Sequence, residues 1–250
     1  MSSRLDPDPE TGPDSRLEAA RTRYGETWVY EGIIGALPGI DIPPGVALAV
    51  QFVVFEVAIL VLAWVYGLWT AAIAGTVAVV VATLGSAEML RIARRTREAD
   101  VPDAYRRLLF GSNVEVVLSV LAYIALVTHL FVYDPATGRE PLVGTLFGPE
   151  PPVLVVYLTL LVLWDVCYRI GTGWWASVVA LWRSVRFQFD GETRRQLLRA
   201  DLETLGFGVT QLALVPFVLG QPVLLAAVVG HVVAVSAVTG FAMVLLYRQD

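Results

Sequence analysis

Residues Pro151–Arg183 read PPVLVVYLTLLVLWDVCYRIGTGWWASVVALWR, and this stretch decides the fold. It opens with an apolar run of about 20 residues, the helical length needed to cross a hydrocarbon core about 30 Å thick. Asp165 and Arg169 stand four residues apart inside it, and Trp164, Trp174, Trp175 and Trp182 crowd its second half. Such a run is a transmembrane helix. It either ends at Gly171–Gly173 or continues as one helix through the last three tryptophans.

Comparable runs lie on both sides. Three precede it, at about Val46–Tyr66, Ala71–Leu90 and Val114–Tyr133, and two follow, at about Leu205–Leu219 and Val223–Tyr247. With a fourth span over about 153–172, the expectation is an all-α bundle of six transmembrane helices. The fifth run is short and holds Gly206, Gly208, Gln211 and Pro216, so its helix can begin in the polar segment before it. Ala74, Ala78, Ala82 and Ser86, and again Ala226, Gly230 and Ala234, form small-residue ridges that let neighbouring backbones approach closely.

Before the first span, Glu26–Pro44 is too short and too rich in Pro and Gly to cross. Val29, Ile33, Ile34 and Leu37 share one helical face, which reads as an interfacial amphipathic helix or one packed beneath the bundle. Residues 1–25 form an acidic tail, disordered over 1–14, with a capping box at Ser15–Glu18 opening a short helix. The tail lacks the pattern of a signal peptide.

Composition agrees. The chain has 250 residues, 56% of them hydrophobic, with mean hydropathy +0.64, far above a soluble domain. Cys167 is the single cysteine, so no intrachain disulfide forms. Two histidines cannot build a His-rich metal site, and no zinc-protease, nucleophile-elbow or P-loop motif occurs. No cofactor is implied. A net charge of −5 with interleaved acids argues against nucleic acid.

Arginine fixes the expected orientation. Sixteen arginines fall in the N-terminal tail, the second-to-third and fourth-to-fifth connections and the C-terminus, against Arg139 alone on the other side. The positive-inside rule then places both termini in the cytoplasm of a multi-pass cell-membrane protein. Arg91, Arg94, Arg95, Arg97, Arg183 and Arg186 are placed to meet anionic lipid headgroups.

The strings Glu26–Pro43 (ETWVYEGIIGALPGIDIP), Tyr105–Val116 (YRRLLFGSNVEV) and Leu163–Ser184 (LWDVCYRIGTGWWASVVALWRS) carry a resemblance. The chain is similar to a family of uncharacterised integral membrane proteins from halophilic archaea. The likeness covers most of the chain after about residue 24, and it implies a source and a topology but no activity. All eighteen basic residues are Arg and the acids total 23, a composition that also looks like a salt-adapted protein.

Ionisable groups inside spans are costly, from about 2.5 kcal/mol upward, so each is a candidate site. Glu56 lies near the middle of the first span. It can be a proton- or cation-binding carboxylate, or polar glue between helices. Asp165 and Arg169 form a favourable i,i+4 pair, with Arg169 expected to snorkel toward the inner headgroups. Asp165 can also reach Glu56 or Gln211. Gln211 lies on the helix best suited to line a cavity, and His231 can relay a proton or bond a carbonyl. Glu88, Asn113, Glu115 and Glu203 read as rim ion pairs. Pro43-Pro44 before Glu56 and Pro151-Pro152 before Asp165 hint at an inverted repeat of three spans per half.

Two functions follow. One is a non-catalytic scaffold or accessory subunit, as a homo-oligomer or with a protein partner, that binds through an Arg-rich cytoplasmic face. The other is a small transporter or channel using Glu56 with Asp165 and Arg169.

Overall fold

Prolines start most of the helices. A computed structural model describes Trp28 and residues 43–249; the expected tail helix and, Trp28 apart, the interfacial helix lie outside the described residues. Helix α1 (Pro44–Tyr66) has Pro at its first turn, where no amide partner is needed. It ends at Gly67, whose φ of 72° supplies the left-handed cap. Helix α2 (Trp69–Glu98) returns antiparallel to it. Pro102 then caps α3 (Asp103–Gly111), and Asn113 at φ 55° breaks the chain before α4 (Val114–Thr128).

Helix α4 continues through a wide turn at His129–Tyr133 to Ala136. Short α5 (Leu142–Phe147) folds back, tied by the Leu142 amide donating to Asp134 Oδ2 at 2.6 Å. Pro152 caps α6 (Val153–Arg186), 34 residues and about 51 Å long at 1.5 Å per residue. The alternative ending at Gly171–Gly173 is thereby settled, because the helix runs on through every tryptophan. After Asp190, whose carboxylate accepts the Glu192 and Thr193 amides, come α7 (Gly191–Thr210) and α8 (Pro222–Tyr247).

Among the described residues, five helices are long and apolar enough to cross a membrane: α1, α2, α3–α4 with its extension, α6 and α8. The expected fifth span, Leu205–Leu219, is not one of them. Its helix begins in the polar segment at Gly191, passes a tight 3-10 turn at Gln211–Leu214, and ends in a short helix, Val215–Val218. Pro216 explains that turn, since it cannot donate an amide and its ring disfavours a straight α-helical turn before it.

Helix α6 is central, packing against α4, α8, α2, α7, α3 and α1. The main core gathers at one end: Trp28, Ala93 on α2, Tyr105 and Phe110 on α3, Val179 on α6, Leu197 on α7 and Leu246 on α8 all touch one cluster. Around the outside, Val50, Val54, Val57 and Val61 on α1 and Val229 and Val233 on α8 are exposed. Apolar residues pointing outward along such long helices face lipid.

Small residues set the closest approaches. At Gly171 on α6, an added Cβ would lie 2.6 Å from the Ser119 amide nitrogen and 2.7 Å from the Glu115 carbonyl oxygen of α4. Gly85 on α2 likewise makes room for the Phe207 ring of α7.

Candidate functional site

The polar groups of the bundle occupy several separate places. On the α1–α6 contact, Gln51 Nε2 donates to Asp165 Oδ2 at 3.1 Å, and Arg169 donates to Asp165 Oδ1 at 2.7 Å. Arg169 also points its other guanidinium nitrogen at Met89 Sδ, 3.1 Å away on α2. Four residues along a helix is one turn, so the pair follows directly from the spacing.

Its depth does not follow. Arg169 was expected to snorkel, but its side chain is 1% exposed and α6 continues 17 residues past it. The guanidinium is enclosed by protein rather than reaching outward to a headgroup, with Asp165 and the Met89 sulfur among its neighbours. The void beside Asp165, bounded by Gln51, Phe55, Thr83 and Val162, measures about 10 Å³. That is at the lower limit for one water.

Glu56 meets a different partner. Thr76 on α2 donates its hydroxyl to Glu56 Oε1 at 2.7 Å, and Oε2 has no partner among the described residues. Glu56 and Asp165 each stand 13 residues after a capping proline, Pro43 and Pro152. Aligned on those caps, the two strings match without the one-residue offset that the Pro-Pro pairs suggested. Their contacts nevertheless differ.

Gln211 is buried on the 3-10 turn, against α2 and α8. His231 on α8 faces Trp174 of α6, ring centroids 5.8 Å apart, and its Nδ1 is buried without a partner among the described residues. The candidates therefore lie on different helix contacts: α1–α6 for Asp165 and Arg169, α1–α2 for Glu56, α2–α7–α8 for Gln211, and α6–α8 for His231.

Two buried features escaped sequence reasoning. Arg183, taken as a headgroup contact, is 1% exposed. It donates to Asp201 Oδ2 at 2.6 Å and to the Tyr105 hydroxyl at 2.8 Å, joining α6, α7 and α3. Burial leaves that charge no access to lipid. Arg183 and Asp201 stand 18 apart across the non-helical connection between α6 and α7, a separation that carries no periodic signal. Glu115, taken as a rim ion-pair member, is wholly buried, and both of its carboxyl oxygens lack partners among the described residues. Its closeness to an Arg-rich connection in sequence concealed its place under α6.

The remaining rim acids do form pairs. Glu88 meets Arg91 at 2.5 Å, and Glu203 meets Arg95 at 2.7 Å, the second joining α7 to α2. At the opposite end, an apolar cavity of about 140 Å³ is lined by Ile59, Ala63, Ala72, Gly75, Leu158 and Val162. Among the described residues no cluster of His, Cys, Asp and Glu is arranged to hold a metal ion.

Long apolar helices with lipid-facing exteriors and their polar groups turned inward define a multi-spanning helical membrane protein. The chain belongs to DUF7530, a family of unknown function whose profile matches residues 23–242. No curated protein matches it, and no solved structure does.

Proposed function

We propose that this protein is a non-catalytic, six-crossing membrane component, a scaffold or accessory subunit with its Arg-rich end and both termini in the cytoplasm. The observation that carries the reading is the small void beside Asp165, about 10 Å³, in a bundle where Gln51 with Asp165, Thr76 with Glu56 and Thr239 with Ser177 bond across helices. Buried polar contacts of this kind hold helices in register. A permeation pathway needs a polar cavity, whereas the cavity of about 140 Å³ has an apolar lining.

Six crossings are supported by the path of α7. Leu197 and Leu246 touch the same core cluster, while Gln221 and Pro222 form the turn between α7's extension and α8. The 24 residues from Leu197 to Gln221 rise about 36 Å as helix, close to the 39 Å or so of the 26-residue α8. Trp28 belongs to that same cluster, as does Leu246 near the end of α8, which supports a common side for this end. The arginine distribution supports a cytoplasmic assignment for this end. The Lys-free, acidic composition supports a salt-adapted source.

The test is cross-linking and copurification from native membranes, with wild type compared with a variant carrying Arg94→Gln, Arg107→Gln and Arg186→Gln, all exposed positions. The reading expects a defined partner, or a second copy of the chain, that the variant loses while its melting temperature is unchanged. Ion flux into proteoliposomes that depends on the protein and vanishes with Glu56→Gln would overturn it.

A further inference from the structure

Most arginines at the Arg-rich end have protein partners. Arg91 pairs with Glu88, Arg95 with Glu203 and Arg183 with Asp201, while Arg194 bonds the Gln249 carbonyl and Arg195 the Gly191 carbonyl. Arg94, Arg107 and Arg186 have no carboxylate partner among the described residues, and neither do Arg199 on α7 and Arg248 at the end of α8, which alone of these line one groove together. Arg199 and Arg248 are both exposed.

The two flank a groove of about 420 Å³ between α7 and α8. Leu198, Leu202, Met243 and Val244 line its wall, and Tyr247 stands beside Arg248. Leu202 is 60%, Val244 47% and Tyr247 72% exposed, so the wall is an open apolar surface. Leu202 lies three residues along α7 from Arg199, and Val244 lies four before Arg248. Each apolar residue is therefore about one helical turn, roughly 5 Å, from its arginine along the helix axis. Two cations, Arg248 at the end of α8 and Arg199 near the middle of α7, with Tyr247 beside Arg248 and an apolar trough along the helices, match an amphiphile whose anionic head sits at the interface.

We propose that this groove binds an anionic glycerophospholipid, with its phosphate between Arg199 and Arg248 and an acyl chain along Leu202 and Val244. Guanidinium groups suit the phosphate because their N–H forks match paired phosphate oxygens. The trough selects a lipid over free phosphate: a soluble anion would use the arginines and leave the apolar wall uncovered. The site adds a ligand that the scaffold reading does not specify, and it requires only that α8 lie in a bilayer.

The test uses the full-length protein in nanodiscs of phosphatidylcholine, titrated with phosphatidylglycerol of the same acyl chains, with bound lipid counted by native mass spectrometry. Phosphatidylglycerol is expected to bind saturably, in preference to phosphatidylcholine. Arg199→Gln and Arg248→Gln are each expected to weaken it about fivefold, the factor for losing one basic residue at an anionic surface. Leu202→Trp, which fills the trough, is expected to weaken it while both arginines remain. All three positions are exposed, and unchanged melting temperatures establish that the variants fold. Equal binding of the two lipids, or no effect of either arginine variant, overturns the proposal. So does an equal loss from Arg186→Gln, which would indicate diffuse surface charge, or equal affinity for inorganic phosphate alone, which would indicate a soluble anion.

Discussion

Replacing Gly171 by Ala tests the tightest helix contact in the bundle. The new methyl carbon would sit 2.6 Å from the Ser119 amide nitrogen and 2.7 Å from the Glu115 carbonyl oxygen, both backbone atoms that no side-chain rotation can move. Ordinary contact begins near 3.4 Å, so α4 and α6 must part by about 0.8 Å. Overpacking of this kind costs about 1–3 kcal/mol. The separation also stretches the Ser119 hydroxyl bond to the Tyr168 carbonyl, already 3.3 Å, which adds about 1 kcal/mol. Against this, Ala gains about 1 kcal/mol over Gly inside a helix. The clash wins, leaving a net loss of about 1–3 kcal/mol. Reversible unfolding in mixed micelles reads it, with Gly206→Ala and Gly230→Ala as controls, because an added Cβ meets nothing within 4 Å at either site. Those controls should be neutral or slightly stabilising. If Gly171→Ala behaves as they do, the close approach of α4 and α6 is wrong.

Asp201→Asn strands the Arg183 charge where it is 1% exposed, and the expected loss is about 3–5 kcal/mol; the double change Arg183→Met with Asp201→Leu recovers most of it in the same assay. Glu115→Met removes two buried, unpartnered oxygens and should stabilise the protein by about 1–3 kcal/mol, whereas a clear loss would mean that the carboxyl has a partner. The amide and hydroxyl of Thr193, with the Glu192 amide, hold the Asp190 carboxyl below its ordinary value of 3.8. Because the folded value is the lower one, this cap stabilises α7 fully above the unfolded value and is lost as pH falls through the folded value. An acid titration of the first α7 turn by NMR should show that loss, and Asp190→Asn should abolish it.

The contrast between what was legible and what was not has a physical basis. Apolar runs and capping prolines are local, so α1, α2, α4, α6 and α8 could all be found from the sequence. Local patterns also gave the Asp165–Arg169 pair, which lies within one helical turn. Depth was harder. The apolar run reads as a span over about 153–172, while the helix itself reaches Arg186, 14 residues and about 21 Å further, and Arg169 is buried among its neighbours. The fifth apolar run was short because the helix that carries it is polar over its first half, and Asp201 and Glu203 there answer arginines on other helices. Partners such as Thr76 for Glu56 or Asp201 for Arg183 depend on which helix faces which, and that information lies in packing. Gly171 illustrates the same point: its sequence context suggested a helix end, while its missing side chain serves the contact with α4.

The most direct test of the central claim is water access to the Asp165 cluster. In a Cys167→Ala background, Thr83→Cys places one thiol at the void of about 10 Å³ shared with Gln51 and Asp165. Charged methanethiosulfonate reagents are then applied to either side of sealed membranes. A packed scaffold predicts no labelling from either side until the membrane is solubilised and the protein unfolded. Rapid labelling from one side of the native protein would contradict it and would mean that an aqueous path reaches Asp165.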